Sequence, residues 1–135
     1  MLTDRELDVM NVLWDRGAAT VAEVRDRLTD DLAYTTVLTV LRTLEAKGHV
    51  GYEVEGRAHL YFPRTVRRDA ARIATNHVID KVFQGSADLL FARVLADRPL
   101  PPEQLRRIRD EVDRRLGEST SRHSNESDSG RRSPP

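Results

Sequence analysis

Residues 34–48 read YTTVLTVLRTLEAKG, and the fold turns on how this stretch is read. Val37, Val40, Leu41 and Leu44 stand at i, i+3, i+4 and i+7, the spacing of one buried helical face. Thr36, Thr39 and Thr43 hold another face, with Leu38, Thr35 and Arg42 around its edges. β-Branched side chains lose χ1 freedom in a helix, so Ala, Leu or Glu would hold the segment better. Burial of the inner face must offset that loss, and the outer face must have another use. Gly48 ends the helix.

Working outward toward the N-terminus, two capping boxes follow one another. In TDRE, Thr3 caps a first helix and Glu6 reaches back to the cap. Leu7, Met10, Leu13 and Trp14 form its apolar stripe, and Gly17 stops it. In TVAE, Thr20 and Glu23 repeat the device for a short second helix that carries Val21, Val24 and Leu28. Toward the C-terminus the period falls to two. Val50, Tyr52 and Val54 share one face of a strand, the chain turns at Glu55-Gly56, and Ala58–Phe62 returns until Pro63 stops it. Three short helices and a β-hairpin predict a winged helix-turn-helix over residues 1–64.

From Thr65 the helical period returns, with Val66, Ala70, Ile73, Ala74, Val78 and Val82 along one side. Gly85 breaks it, and Ser86 can cap a helix carrying Leu89, Leu90, Val94 and Leu95. After PLPPEQ comes a last helix with Leu105, Ile108, Val112 and Leu116, which Gly117 is expected to end. These three apolar faces make a thin core for a monomer. Residues 65–117 are therefore expected to dimerise through Val78, Val82, Leu89, Leu90, Val94, Leu105, Ile108 and Val112. Residues 118–135 are almost free of apolar side chains and are expected to form a disordered tail. The fold class is mainly α with a small β-hairpin.

Composition narrows the function. The 135 residues contain no cysteine, which removes disulfides, thiolate metal sites and thiol switches. No run approaches the ~20 apolar residues of a membrane span, and the start lacks the features of a signal peptide, so a cytoplasmic protein is expected. His49, His59, His77 and His123 show no metal-ligand spacing. No phosphate-binding glycine loop, nucleophile elbow or HExxH is present, so neither catalytic residues nor a cofactor is expected. Net charge is zero overall, yet residues 1–64 carry 8 Lys+Arg against 11 Asp+Glu, while 65–117 carry 11 against 8. An acidic N-terminal part is unusual for a nucleic-acid binder.

Particular residues nevertheless point to double-stranded DNA. Threonine offers a hydroxyl to phosphates or base edges and a methyl to thymine, and Arg42 can make the bidentate guanine contact. Arg57 sits at the tip of the hairpin, where a phosphate or minor groove would lie. Alone, the threonine face also fits an ordinary solvated helix, and Arg57 an ordinary turn arginine. A winged helix serving as a protein-interaction module is the alternative reading.

The string LAYTTVLTVLRTLEAKGHVGYEVEGRAHLYFP resembles the core of the penicillinase-repressor family, the BlaI/MecI type of bacterial regulators. The resemblance rests on Thr35-Thr36-Val37, Thr39, Lys47-Gly48, Gly56-Arg57 and Tyr61-Phe62-Pro63, together with the opening LTDRELDVMNVLWDRG. It implies a transcriptional repressor that binds a palindromic operator as a homodimer. The DNA-facing residues would be Thr35, Thr36, Leu38, Thr39, Arg42, Thr43 and the wing's Arg57. It further implies release through cleavage by a membrane metallopeptidase sensor, at a bond that aligns with Arg93–Val94. Two features depart from the family pattern. The arginine expected at position 43 stands at 42, about 100° around the helix, and the expected Asn-Phe cleavage pair is Arg-Val. The missing cysteines disfavour the copper-responsive branch.

Overall fold

The computed structural model describes residues 1–129, with side chains through Thr120. Helix α1 spans Asp4–Arg16, α2 Val21–Arg27 and α3 Tyr34–Ala46. Both predicted capping boxes form: Thr3 Oγ1 accepts from the Glu6 N–H, and Thr20 Oγ1 from the Glu23 N–H. Helix α3 has no side-chain cap, so its position depends on packing. That packing is supplied by Val37, Leu41 and Leu44, all fully buried, with Val40 packed at the edge. They meet Val9, Met10, Val12 and Leu13 of α1 and Val21 and Val24 of α2 in one core.

The sheet has three strands, where the sequence pattern suggested two. Ala19–Thr20 forms a short β1 that pairs antiparallel with β3 (Ala58–Pro63), and β3 pairs with β2 (Val50–Glu55) in the order β1-β3-β2. Two residues are too few to show a period, and Thr20 doubles as the cap of α2. The β2–β3 register sets Tyr52 opposite Tyr61 and Val54 opposite His59, with Gly56 and Arg57 as the two turn residues. Gly56 takes φ +63° while Arg57 does not have positive φ, the pattern of a type II′ hairpin turn. Only the base of this hairpin is covered. Val50 and Tyr61 are buried, whereas Tyr52 and Val54 project beyond the helices.

Helix α4 spans Arg67–Val82, α5 Ala87–Asp97 and α6 Pro102–Ser129. The first compact unit runs from Met1 to Ser86 and the second from Ala87 onward. Helix α4 thus falls in the same compact unit as residues 1–64. Trp14 explains the attachment: its indole N–H donates to the Thr65 carbonyl at 2.8 Å, and the Arg67 guanidinium lies 5.2 Å from its ring. Arg67 also pairs with Asp15. The end expected at Gly117 is overturned, because α6 continues to Ser129 and makes residues 118–129 helical. One glycine costs a helix only about 1 kcal/mol relative to alanine, and the Arg114–Glu118 pair spans it at 2.7 Å. Residues 130–135 of the expected tail lie outside the described residues. No helix among the described residues is long and apolar enough to cross a membrane.

Candidate nucleic-acid interface

Burial of Val37, Leu41 and Leu44 turns Thr35, Thr36, Thr39, Arg42 and Thr43 of α3 outward, and all five are exposed. Leu38 differs, being half-buried and packed against the core at the edge of that face. The threonine hydroxyls are not all free to donate. Thr39 Oγ1 donates to the Thr35 carbonyl and Thr43 Oγ1 to the Thr39 carbonyl, each at 2.9 Å. Such back-bonding uses the hydroxyl hydrogen within the helix. What Thr39 and Thr43 keep for a partner is therefore a methyl group and an accepting oxygen, a narrower offer than the residue type suggests.

Arg42 faces the hairpin across a cleft of about 430 Å³. One wall is Tyr34, Leu38 and Arg42 of α3, and the other is Arg57, Ala58 and His59 of the hairpin. The start of α2 closes its floor. Arg42 and Arg57 thus share one surface, although fifteen positions separate them in sequence. His59 and Tyr34 were not singled out for this surface by sequence reasoning. Strand alternation would have placed His59 on the Tyr61 face, but only the tertiary fold shows α3 opposite it. Burial pushes the Tyr61 phenol above its ordinary value, and Glu45 adds to the rise.

The acidic balance of this unit is resolved by where its charges pair. Arg5 binds Asp8 and Asp30, Arg16 binds Glu23, Lys47 binds Glu6, and Arg67 binds Asp15. Arg42 and Arg57 make no ion pair among the described residues. The acidic excess is thus partly neutralised by arginines and a lysine elsewhere, while the two cations on the α3–hairpin surface stay available. His49 and His59 do not approach one another. His49 Nδ1 shares a hydrogen bond with Thr65 Oγ1 at 2.9 Å, whereas the His59 ring stacks on Tyr52.

One anchor fixes α3 against α1. Glu6 is almost fully buried, and its carboxylate accepts from the Thr3 N–H and, through both oxygens, from Lys47 Nζ at 2.9 Å. Burial alone would raise the Glu6 carboxyl. The Thr3 N–H, the Lys47 ammonium and the Thr3 hydroxyl together outweigh it and hold the group below its ordinary value.

The residues proposed for dimerisation lie on two units. On α4, Val78 and Val82 are exposed. In the second unit Leu89, Leu105 and Val112 are exposed, while Leu90, Val94 and Ile108 are half-buried. Neither α4 nor α5 buries a single residue. Arg93 and Val94 lie within α5, with Arg93 paired to Asp97 at 3.0 Å.

The chain also has relatives among known proteins. The penicillinase repressor of Bacillus licheniformis is 24% identical over 109 residues, covering 79% of this chain and 85% of that protein. The transcriptional regulator BlaI of Mycobacterium tuberculosis is 46% identical over 65 residues, 46% of this chain and about half (47%) of that one. Among solved structures, the DNA-binding domain of the repressor BlaI matches with a TM-score of 0.47 and 32% identity, over 51% of this chain and 87% of that one. The family model described as Penicillinase repressor matches residues 2–114, and the chain belongs to that family.

Proposed function

We propose that this protein is a DNA-binding transcriptional repressor, not an enzyme, which occupies an operator dyad as a cytoplasmic homodimer. The observation that carries the reading is the shared surface of α3 and the hairpin, where Arg42 and Arg57 stand without ion pairs among the described residues, beside an exposed threonine face. In this reading α3 enters the major groove. Arg42 reads a guanine edge, the methyls of Thr39 and Thr43 meet thymine methyls, and Thr35 and Thr36 contact the strand at the helix start. Leu38 packs at the margin of the contact. Arg57 places the hairpin on the flanking phosphates.

Dimerisation is supported by the uncovered apolar side chains of α4, α5 and α6, since helices with one apolar stripe need something to bury it against. A two-fold dimer would require half-sites separated by about one helical turn of DNA or a multiple of it. Proteolytic release has no such support: a metallopeptidase would have to unwind α5 to reach the Arg93–Val94 bond. DNase footprinting on the region upstream of the protein's own gene tests the proposal. Two protected half-sites in phase are expected, and a double Thr39→Ala, Arg42→Ala variant should lose them. Absence of protection at about 100 mM salt, where phosphate contacts still bind strongly, would overturn it.

A further inference from the structure

His59 occupies a position that the repressor reading leaves unused. It lies two residues beyond Arg57 on β3, in the cleft that Arg42 closes from the other side. The imidazole stacks on Tyr52, with ring centroids 4.7 Å apart and planes within 9°. Stacking fixes the ring by its face and leaves its nitrogens at the edge. Neither nitrogen has a hydrogen-bond partner among the described residues, and the side chain is exposed. A ring held in this way, in a cleft also lined by Arg42 and Arg57, is oriented with its nitrogens open to a ligand.

Around His59, helix α3 contributes Arg42 and Tyr34, β2 contributes Tyr52, and β3 with its turn contributes Tyr61 and Arg57. Glu53 and Glu55 fall on the opposite face of β2 by strand alternation. Glu45 of α3 lines a separate recess with Gly51, Tyr52 and Arg64. Among the described residues, no carboxylate therefore lines this cleft. A phosphate seated in the cleft would favour the charged imidazole.

We infer that His59 is a further phosphate contact of the DNA-binding surface beside Arg57, one that takes up a proton from solvent as DNA binds. This rests on the repressor reading and deepens it, because it makes affinity for DNA depend on pH. Imidazoles change charge in the range pH 5–8, so binding tightens as pH falls through that range and weakens as it rises. One linked proton changes Kd by at most about tenfold per pH unit. An additional phosphate contact at low pH also steepens the dependence of log K on log salt by about 0.9.

The test is fluorescence anisotropy with a mixed-sequence duplex of about 30 base pairs, between about pH 6.0 and 8.5 and from about 50 to 200 mM salt. Wild type is compared with His59→Asn, which keeps a polar planar group without the titration. Circular dichroism confirms that both stay folded. The expected result is a wild type that binds several-fold more tightly at the acidic end than at the alkaline end, with a steeper salt slope. His59→Asn should be flat on both counts and match the wild type at the alkaline end. A His59→Asn variant that keeps the wild-type pH dependence overturns the inference while leaving the repressor reading intact. If neither protein binds any duplex, including the footprinted region, both fall together.

Discussion

Replacing Lys47 by Met tests whether helix α3 is held in place by the buried Glu6 carboxylate. Methionine keeps the apolar stem and removes the ammonium, leaving Glu6 with the Thr3 N–H as its remaining strong donor. Breaking a fully buried ion pair costs about 3–5 kcal/mol. The Lys47 side chain is 40% exposed, so water recovers part of the loss, and a cost of about 1–2 kcal/mol is expected. For a unit of this size that lowers Tm by about 5–15 °C at pH 7. The pH dependence has a definite sign. Glu6 is held below its ordinary value of 4.5, so its contribution is complete above that value and fades as pH falls through the lowered one. The gap between wild type and Lys47→Met, followed by thermal circular dichroism, should therefore be widest near neutrality and close on acidification. A gap under about 1 °C at pH 7, or one that grows below about pH 4, would refute the reasoning.

Other perturbations address separate parts of the molecule. Arg42→Ala should cost about 1–3 kcal/mol on a cognate site and relax selection at one base pair, as measured by competition binding against single-base variants. Arg57→Ala should weaken binding to every duplex alike and flatten the salt slope by about 0.9. Gly51→Ala places a Cβ 2.7 Å from Phe62 Cζ and 2.6 Å from Arg64 Nε, so a loss of about 1–3 kcal/mol is expected in urea unfolding. Val112→Asp should convert a dimer to a monomer in sedimentation, with the winged-helix unit still folded.

Much of the fold was legible because its signals are local. The Thr3/Glu6 and Thr20/Glu23 boxes act over three residues and both form. The 3.6-residue spacing of Val37, Leu41 and Leu44, and the two-residue alternation through the hairpin, require no knowledge of neighbours. Expectation and structure part where partners are remote or where a local signal is overruled. Strand β1 exists because β3 offers it an edge, and two residues cannot announce that. Val9 and Val12 are buried because α1 is covered on a wider arc than its Leu7–Trp14 stripe implied. Glu6 reads as half of a capping box and is also the buried partner of Lys47, forty-one positions away. Gly117 reads as a stop, but a single glycine is a small penalty within a 28-residue helix.

The candidate surface divides the same way. The sequence by itself determined helix α3, its outward threonines and the arginine at the hairpin tip, since periodicity and turn chemistry act along the chain. Only the tertiary structure decided that Arg42, Arg57 and His59 share one cleft. It also decided that Lys47, Arg5, Arg16 and Arg67 are taken up by carboxylates, and that two threonine hydroxyls are spent on the helix itself. A net charge sums over a segment, whereas a DNA backbone meets only the charges the fold leaves unpaired on one face. The quoted helix supplies the letters of that face, and packing decides which of them point at a partner.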